Sequence, residues 1–499
     1  MAKPCPRGDP EETEVAPSGD AASGVAGGLE APAPPEQAIP AVAPSLCPSV
    51  ALPAEDALVQ ERLRRRHNTA EDVRWPGQKD RDRILYTAAF RRLAGVTQVA
   101  GPREGHIVHN RLTHSLEVAQ VARRLAEGLI RQQANLAIQH GGIDADVVEA
   151  AALAHDLGHP PFGHVAEKEL DRLVVEAGVR EGYEGNAQSF RIITQLAFHG
   201  EGGLAGPPGL DLTRATLRAT LKYPWRRAEM GQHSRKWGYY SSEAADFEYA
   251  REGTDGSEIP CLEAQVMTWA DDIAYSVHDT EDFYRAGLIP LDRLLLNVEE
   301  RARFLEAVLP GLASREILGR RYTREQLTAA FKTYCGLLFL RQPYDGTMRI
   351  RQSLRAYTSS QIGRYITSIA LTEQPDEGGW LITAPDQVRM EIGLTQQLTW
   401  FYVIDSDALA TQQYGQREVI RTLFTTYRQA IRDRDLRVLP PAYQGQIREE
   451  ARDGGPCAEG NIVRSVADMI AEMTDEQALR IYQRVTGHLP GSVRDLVSR

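Results

Sequence analysis

Two histidines and two aspartates stand out for the chemistry they could do together. They are His114 in NRLTHSLEVA, the adjacent pair His155-Asp156 in LAHDLGH, and Asp271 in WADDIAY. Two imidazoles and two carboxylates make a mixed nitrogen and oxygen ligand set. Such a set suits a borderline-to-hard divalent ion, Mn2+, Fe2+, Co2+ or Mg2+, and leaves positions open for water and phosphate. Adjacent residues on a helix point about 100° apart, so a His-Asp pair converges on one ion only where its helix is ending. Gly158-His159-Pro160-Pro161 follows directly and supplies that ending. Any one fragment alone is weak, because a single His on an Ala-rich helix is usually a satisfied core or surface residue. Three fragments in order, each on an apolar helix, carry far more weight.

Further candidates surround these four. His159 and His164 flank the Pro-Pro turn, and Glu167 stands three residues after His164, on the same helix face. A His oriented by a carboxylate is the usual arrangement for a general acid or base near neutral pH. The bland reading of His159 is a cap on a broken helix. Asp271, Tyr275 and Asp279 are spaced by four and form one helical stripe. That stripe is too polar for a core seam, although Asp279 alone also fits a solvated face. Arg111 lies three residues before His114. A guanidinium there can clamp a phosphate bidentately.

Helices must position these groups. Apolar residues recur at helical spacing over residues 81–93, 112–129, 147–157, 162–175 and 262–283. Strand signals are scarce, and WLIT at 380–383, after a turn-like 375–379, is the best candidate. No repeat period is visible, which excludes a solenoid. The reading is an all-α body over 56–499, with a catalytic core at 56–290 and a C-terminal helical region at 291–499 packed on it. Residues 1–55 are different material. They hold 11 of the 28 prolines and no aromatic residue, and acidic side chains outnumber basic ones eight to two. Such a segment buries too little apolar surface to offset its ordering entropy, so a disordered tail dispensable for chemistry is expected.

Composition narrows the function classes. The five cysteines, Cys5, Cys47, Cys261, Cys335 and Cys457, are widely spaced with no CxxC, as in a reduced, cytoplasmic protein. No run of 18 apolar residues occurs and the start has no signal pattern, so neither a membrane span nor export is expected. A net charge of −11 argues against a chain-wide nucleic-acid footprint. There is no GxxxxGK[ST] loop, HExxH, GxSxG or HD-GYP string, which counts against a P-loop NTPase, a zincin, an α/β-hydrolase and a cyclic-dinucleotide phosphodiesterase.

The ordered H…HD…D set resembles the HD superfamily of metal phosphohydrolases. The strings RDRILYTAAFRRL, HNRLTHSLEVAQVARRLA, AALAHDLGHPPFGHVAE, YEGNAQSFRI, LKYPW and ADDIAYSVHDTEDF are more specific. They resemble the deoxyguanosine-triphosphate triphosphohydrolase (dGTPase-like) family over residues 81–283. The likeness is weaker in WFYVIDSDALATQQYGQREVI near 400–420 and absent over 1–55. The resemblance implies an all-α enzyme that cleaves a deoxynucleoside triphosphate to the deoxynucleoside and tripolyphosphate. It implies a homo-oligomer, tetramer or hexamer, and leaves room for a nucleotide or single-stranded DNA effector.

It also implies residue roles. His114, His155, Asp156 and Asp271 hold the metal. His164 and Glu167 act at the leaving oxygen and the attacking water, and His159 lies near the phosphates. Tyr275 contacts phosphate or sugar, Asp279 the sugar 3′-hydroxyl, and Gln98 lies near the sugar. Asn186 and Gln188 in EGNAQ either contact substrate or satisfy a buried loop. Lys222, Tyr223 and Lys236 are candidates for the triphosphate tail, against the plain alternative of surface residues. Some eukaryotic relatives carry Lys directly after the metal Asp, where this chain has Asp272. A carboxylate there cannot bind phosphate directly, so the metal, Arg111 and lysines elsewhere must meet that charge. Two rival readings are an HD phosphohydrolase of nucleoside monophosphates and a nucleotide- or DNA-binding regulator with a vestigial site. The complete ligand set argues against the regulator.

Overall fold

The computed structural model describes residues 50–52, 56–67, 73–99, 109–199, 208–229, 234–254, 256–376, 378–453 and 455–489. The acidic tail expected over 1–55 lies almost wholly outside them.

Helices dominate, as the periodicity predicts, and the fold is an all-α HD domain with a C-terminal helical region. Among the described residues, the strands are two short antiparallel pairs. Val50–Ala51 pairs with Ile143–Asp144, and Ala370–Leu371 pairs with Ile382–Thr383. The WLIT strand is therefore real over its last two residues only. The helices that carry the site are α1 (Arg111–Gln139), α2 (Ala145–Ala154), α3 (His164–Glu176), α4 (Gly185–Arg191), α5 (Leu262–Arg285), α6 (Asp386–Thr399) and α7 (Asp407–Arg432).

Local chemistry sets their ends. Asn110 caps α1 by accepting from Thr113 N at 3.0 Å, so the helix begins at Arg111 and places His114 in its first turn. Asp144 caps α2 by accepting from Asp146 N at 2.8 Å. The helix expected over 81–93 is split. Pro76–Leu85 ends at Tyr86, and Thr87 caps a new helix, Ala88–Arg92, by accepting from Phe90 N at 3.0 Å. Periodicity alone runs straight through this break because the apolar residues on both sides still face the core. A capping threonine is the signal that marks it.

The α1, α2 and α5 helices pack together around Val118, Ala122, Leu125, Ala151, Leu153, Ile273 and Val277, all buried. The run of alanines in α2 lets three backbones approach closely. A second core joins α3 to α7 through Ala166, Leu170, Ile420, Leu423 and Phe424. It continues into the last helices through Val466 and Ile470. The two cores meet at buried polar clamps. Asp468 accepts from Gln188 Nε2 at 2.7 Å and from Arg191 Nη2 at 2.9 Å, while Arg191 Nη1 also reaches Glu243 at 2.6 Å.

Candidate active site

The HD pair sits at a helix end, as its chelating geometry demands. Helix α2 stops at Ala154, and His155 is its C-cap. The following turn is clamped from several directions. Gly158 N donates to Ser189 Oγ at 2.9 Å, Tyr183 Oη donates to Gly158 O at 2.6 Å, and Arg92 Nη2 bonds the carbonyls of Leu157 and His159 at 2.7 and 2.8 Å. A Cβ at Gly158 would lie 2.1 Å from Gly185 O, so only glycine lets this turn rest on α4. The turn exits through Phe162, a bulky residue held at φ 66°. Its N–H donates to Asp475 Oδ1 at 2.8 Å.

This arrangement gathers the candidate ligands. His114, His155 and Asp271 present donor atoms within 4.8 Å of one another. Asp156 Oδ1 lies 3.4 Å from His155 Nε2. The His155 Nδ1 bonds Ala152 O at 2.6 Å, and a carbonyl can only accept, so Nδ1 carries the proton. Its Nε2 is therefore a free lone pair, buried and without a hydrogen-bond partner. A buried imidazole fixed by its far nitrogen, with its near nitrogen orphaned beside two carboxylates, fits a divalent cation. Burial would raise the Asp156 carboxyl, but the Arg111 guanidinium and the His155 and His159 rings hold it well below the usual carboxylate range. Asp271 is held down likewise, mainly by Lys222 and His114 against the opposing effect of burial.

Around this centre lies a cavity of about 300 Å3. It brings together Gln98, Arg111, His114, His155, Asp156, His159, His164, Asn186, Lys222, Tyr223, Lys236, Asp271 and Tyr275, all singled out from the sequence. His164 Nδ1 bonds Glu167 Oε2 at 2.7 Å, and the imidazole is largely exposed while the carboxylate is buried. His159 packs edge-on to His164, with ring centroids 5.1 Å apart. Its Nδ1 lies 3.0 Å from Asp156 Oδ1, and its Nε2 meets no hydrogen-bonding group. Burial and the Arg111 charge push His159 down to about 4, so this ring is neutral at pH 7.

Several side chains stand differently from expectation. Arg111 is not a free clamp: its Nη1 lies 2.5 Å from Asp156 Oδ2 and its Nε donates to Thr97 O at 3.0 Å. Both lysines are engaged, Lys222 on Asp271 Oδ2 at 2.8 Å and Lys236 on Glu167 at 2.9 Å and Glu184 at 2.7 Å. Glu167 stands behind His164 and does not line the cavity. Gln188 points away from it, fully buried against Asp468, so of its two readings the buried-loop one describes its place. Asp279 also falls outside the lining. It is buried beside Asp282, Glu117 and His109, and burial with those neighbouring carboxylates raises its carboxyl well above the usual range.

Other groups at or beside the cavity are not placed there by the sequence. Asp272 faces the cavity, accepts from Gln396 Nε2 at 2.8 Å, and is raised by burial to about 6. Glu184 was readable as the cap of α4, where it accepts from Asn186 N at 2.5 Å, but not as the partner of Lys236. Ile404, Leu409, Gln413 and Gln416 come from α7 and the π-helical turn Trp400–Ile404 before it.

Comparison with known proteins agrees with this geometry. Residues 111–276 match the HD domain and residues 382–484 the phosphohydrolase-associated domain, so the two matched segments both supply cavity residues. Fold and match together define an HD-domain hydrolase. A deoxyguanosinetriphosphate triphosphohydrolase-like protein of Streptomyces coelicolor is 37% identical over 82% of this chain and 92% of its own. Proteins of the same name from Corynebacterium efficiens and Azoarcus sp. are 36% and 33% identical, over 83% and 82% of this chain and 92% and 89% of theirs. The chain belongs to the deoxyguanosinetriphosphate triphosphohydrolase-like family. Among the described residues, no helix is long and apolar enough to cross a membrane.

Proposed function

We propose that the chain hydrolyses a deoxynucleoside triphosphate to the deoxynucleoside and tripolyphosphate. The observation that carries this reading is the orphaned His155 Nε2, set among His114, Asp156 and Asp271 in a cavity that also holds Arg111, Lys222 and Lys236. In this reading those two histidines and two aspartates hold a divalent metal, Mn2+, Mg2+, Fe2+ or Co2+, within a core at 56–290 covered by the helical region 291–499. When bound, the ion supplies charge to polarise the α-phosphate and acidify water.

The remaining work falls to the chain. Arg111, already buried on Asp156, offers its outer N–H groups to the phosphates. Lys222 and Lys236 turn from their carboxylates toward the triphosphate, which carries more negative charge than either partner. Neutral His159 donates or accepts a hydrogen bond without adding charge. Water attacks the α-phosphorus, the bond to the 5′-oxygen breaks, His164, held by Glu167, delivers the proton that oxygen needs to leave, and the proton released by the attacking water restores the imidazole by way of solvent. Tyr275 and Gln98 contact the sugar side.

The test is incubation with each deoxynucleoside triphosphate and Mn2+, with products resolved by chromatography. Tripolyphosphate as first product is expected. Orthophosphate as first product, or equal turnover of dGMP and dGTP, would sink the triphosphohydrolase reading and favour a monophosphate phosphohydrolase.

A further inference from the structure

The corner that delivers His164 to the cavity is backbone that needs outside support. Phe162 and Gly163 stand in succession at φ 66° and 60°, and α3 begins at the next residue, His164 itself. Glu167 bonds one nitrogen of the imidazole, but the ring is largely exposed, so the corner beneath it sets where it stands. A bulky residue keeps positive φ only where its surroundings over-determine it. Here the support comes from one carboxylate, Asp475.

Asp475 is the first residue of a helix in the C-terminal region, α8 (Asp475–Val485). That helix is capped without it. Thr474 Oγ1 accepts from Gln477 N at 3.2 Å, and Gln477 Oε1 accepts from Thr474 N at 2.8 Å. The Asp475 side chain turns inward instead, and the residue is only 4% exposed. Its Oδ1 accepts from Phe162 N at 2.8 Å, and its Oδ2 accepts from the Thr97 hydroxyl. Thr97 in turn offers its carbonyl to Arg111 Nε at 3.0 Å. One carboxylate thus ties together two walls of the cavity, 97–99 with Gln98 and 162–165 with His164. The walls meet at Gly163, where a Cβ would lie 3.1 Å from Arg111 Nη2 and 3.4 Å from Thr97 O. The start of α8 is pressed into place. A Cβ at Gly95 would lie 2.7 Å from Thr474 Cγ2. Arg92, whose Nη2 holds the carbonyls of Leu157 and His159, gives its Nη1 to Met473 O at 3.0 Å. Asp475 itself does not line the cavity.

We propose that Asp475 is a positioning residue of the active site: it holds the Phe162–Gly163 corner against Thr97 and so sets where the His164 imidazole meets the substrate. This rests on the proton-transfer role given to His164 above. It gives the segment that matches the phosphohydrolase-associated domain a part in the reaction.

Three substitutions separate geometry from charge. Asp475→Asn keeps both bonds, because the amide oxygen accepts from Phe162 N and the amide nitrogen donates to Thr97 Oγ1. Asp475→Ala removes both. Asp475→Glu keeps the charge but displaces it by one methylene, and it carries the test if the Ala variant does not fold. The experiment measures kcat, KM and metal content for each variant, alone and combined with His164→Ala, well below the unfolding temperature. The Asn variant is expected within about threefold of wild type. Ala and Glu should lose kcat by roughly 10–100-fold, part of what proton transfer supplies, with KM moved less and metal content unchanged. In the His164→Ala background neither should lower kcat further, because a residue that acts through another is not additive with it. A merely structural residue would lower the unfolding temperature and multiply with His164→Ala. Wild-type kcat in the Ala and Glu variants, an Asn variant as impaired as Ala, or losses that multiply with His164→Ala overturn the proposal.

Amide hydrogen exchange separates this failure from that of the triphosphohydrolase reading. Followed by mass spectrometry without nucleotide, the Phe162 amide should be protected in wild type and Asn, and exchange about tenfold faster or more in Ala and Glu. If wild type turns over dGMP and not dGTP, the kinetic comparison is made with dGMP. If it cleaves neither, this protection pattern still supports the clamp, and equal exchange in all four proteins overturns it.

Discussion

Lys222 Nζ lies 2.8 Å from Asp271 Oδ2, while Oδ1 of the same carboxylate lies 3.3 Å from His114 Nε2 and 3.7 Å from His155 Nε2. One oxygen thus faces the histidines and the other a lysine. Asp271→Ala is expected to abolish both metal retention and turnover while the far-ultraviolet circular dichroism stays helical. Lys222→Met should keep the ion and raise KM. Metal analysis by mass spectrometry decides, and normal stoichiometry in Asp271→Ala would remove this residue from the ligand set.

The His164–Glu167 pair separates from the metal cluster in the same way. His164→Ala should lower kcat by roughly 10²–10⁴-fold, the usual loss for a general acid or base, with metal content unchanged. Glu167→Gln should cost less and distort the pH–rate profile, because the ring loses its orienting charge. A His164→Ala enzyme with a wild-type rate would take proton transfer away from this residue.

Arg111 is only 2% exposed and ion-paired to Asp156, so its removal leaves a buried carboxylate without its partner. Arg111→Ala is expected to destabilise the fold by about 3–5 kcal/mol and also to raise KM, since the same guanidinium faces the cavity. Urea titration and steady-state kinetics read the two effects separately. A variant with unaltered unfolding midpoint would show that the pair contributes little.

A second charged cluster lies away from the cavity. His109 Nδ1 is 2.5 Å from Asp282 Oδ2 and its Nε2 2.8 Å from Glu117 Oε1; His278 Nδ1 is 2.8 Å from Glu117 Oε2. Burial lowers the His109 pKa, but the two carboxylates outweigh it and push it up to about 10. A histidine raised on folding adds stability that is full below the unfolded value near 6.5 and lost as pH climbs toward 10. Glu117, held down to about 2 by the two histidines against burial, adds stability that is full above about 4.5 and lost as pH falls through that window. Nuclear magnetic resonance titration should find His109 still doubly protonated at pH 8. Glu117→Gln should flatten the stability profile at both ends. A His109 that titrates near 6.5 contradicts the ion-pair description.

The sequence exposed the parts of this site whose meaning is local. His155-Asp156 before a Gly-His-Pro-Pro break, and Glu167 one turn after His164, carry their geometry in their spacing. The same spacing was silent about what comes from far away. Gln413 and Gln416 reach the cavity only because α7 packs on α3, and Asp468 claims Gln188 from 280 residues downstream. Lysine 222 and Lys236 were visible as charges, but their carboxylate partners were not, since ion pairing depends on which helices meet. The split at Thr87 hid because both halves keep one apolar face.

The bond from Phe162 N to Asp475 Oδ1 joins residues 313 positions apart, and Thr97 Oγ1 donates to the other oxygen of the same carboxylate. A non-glycine residue at positive φ needs such outside support. On the ribosome, where about 5–20 residues are added per second, the HD turn emerges long before the aspartate that fastens it. The nascent chain therefore carries this turn without its Asp475 support until that residue has been added. A chain cut before residue 475 lacks the carboxylate that ties Phe162 to Thr97.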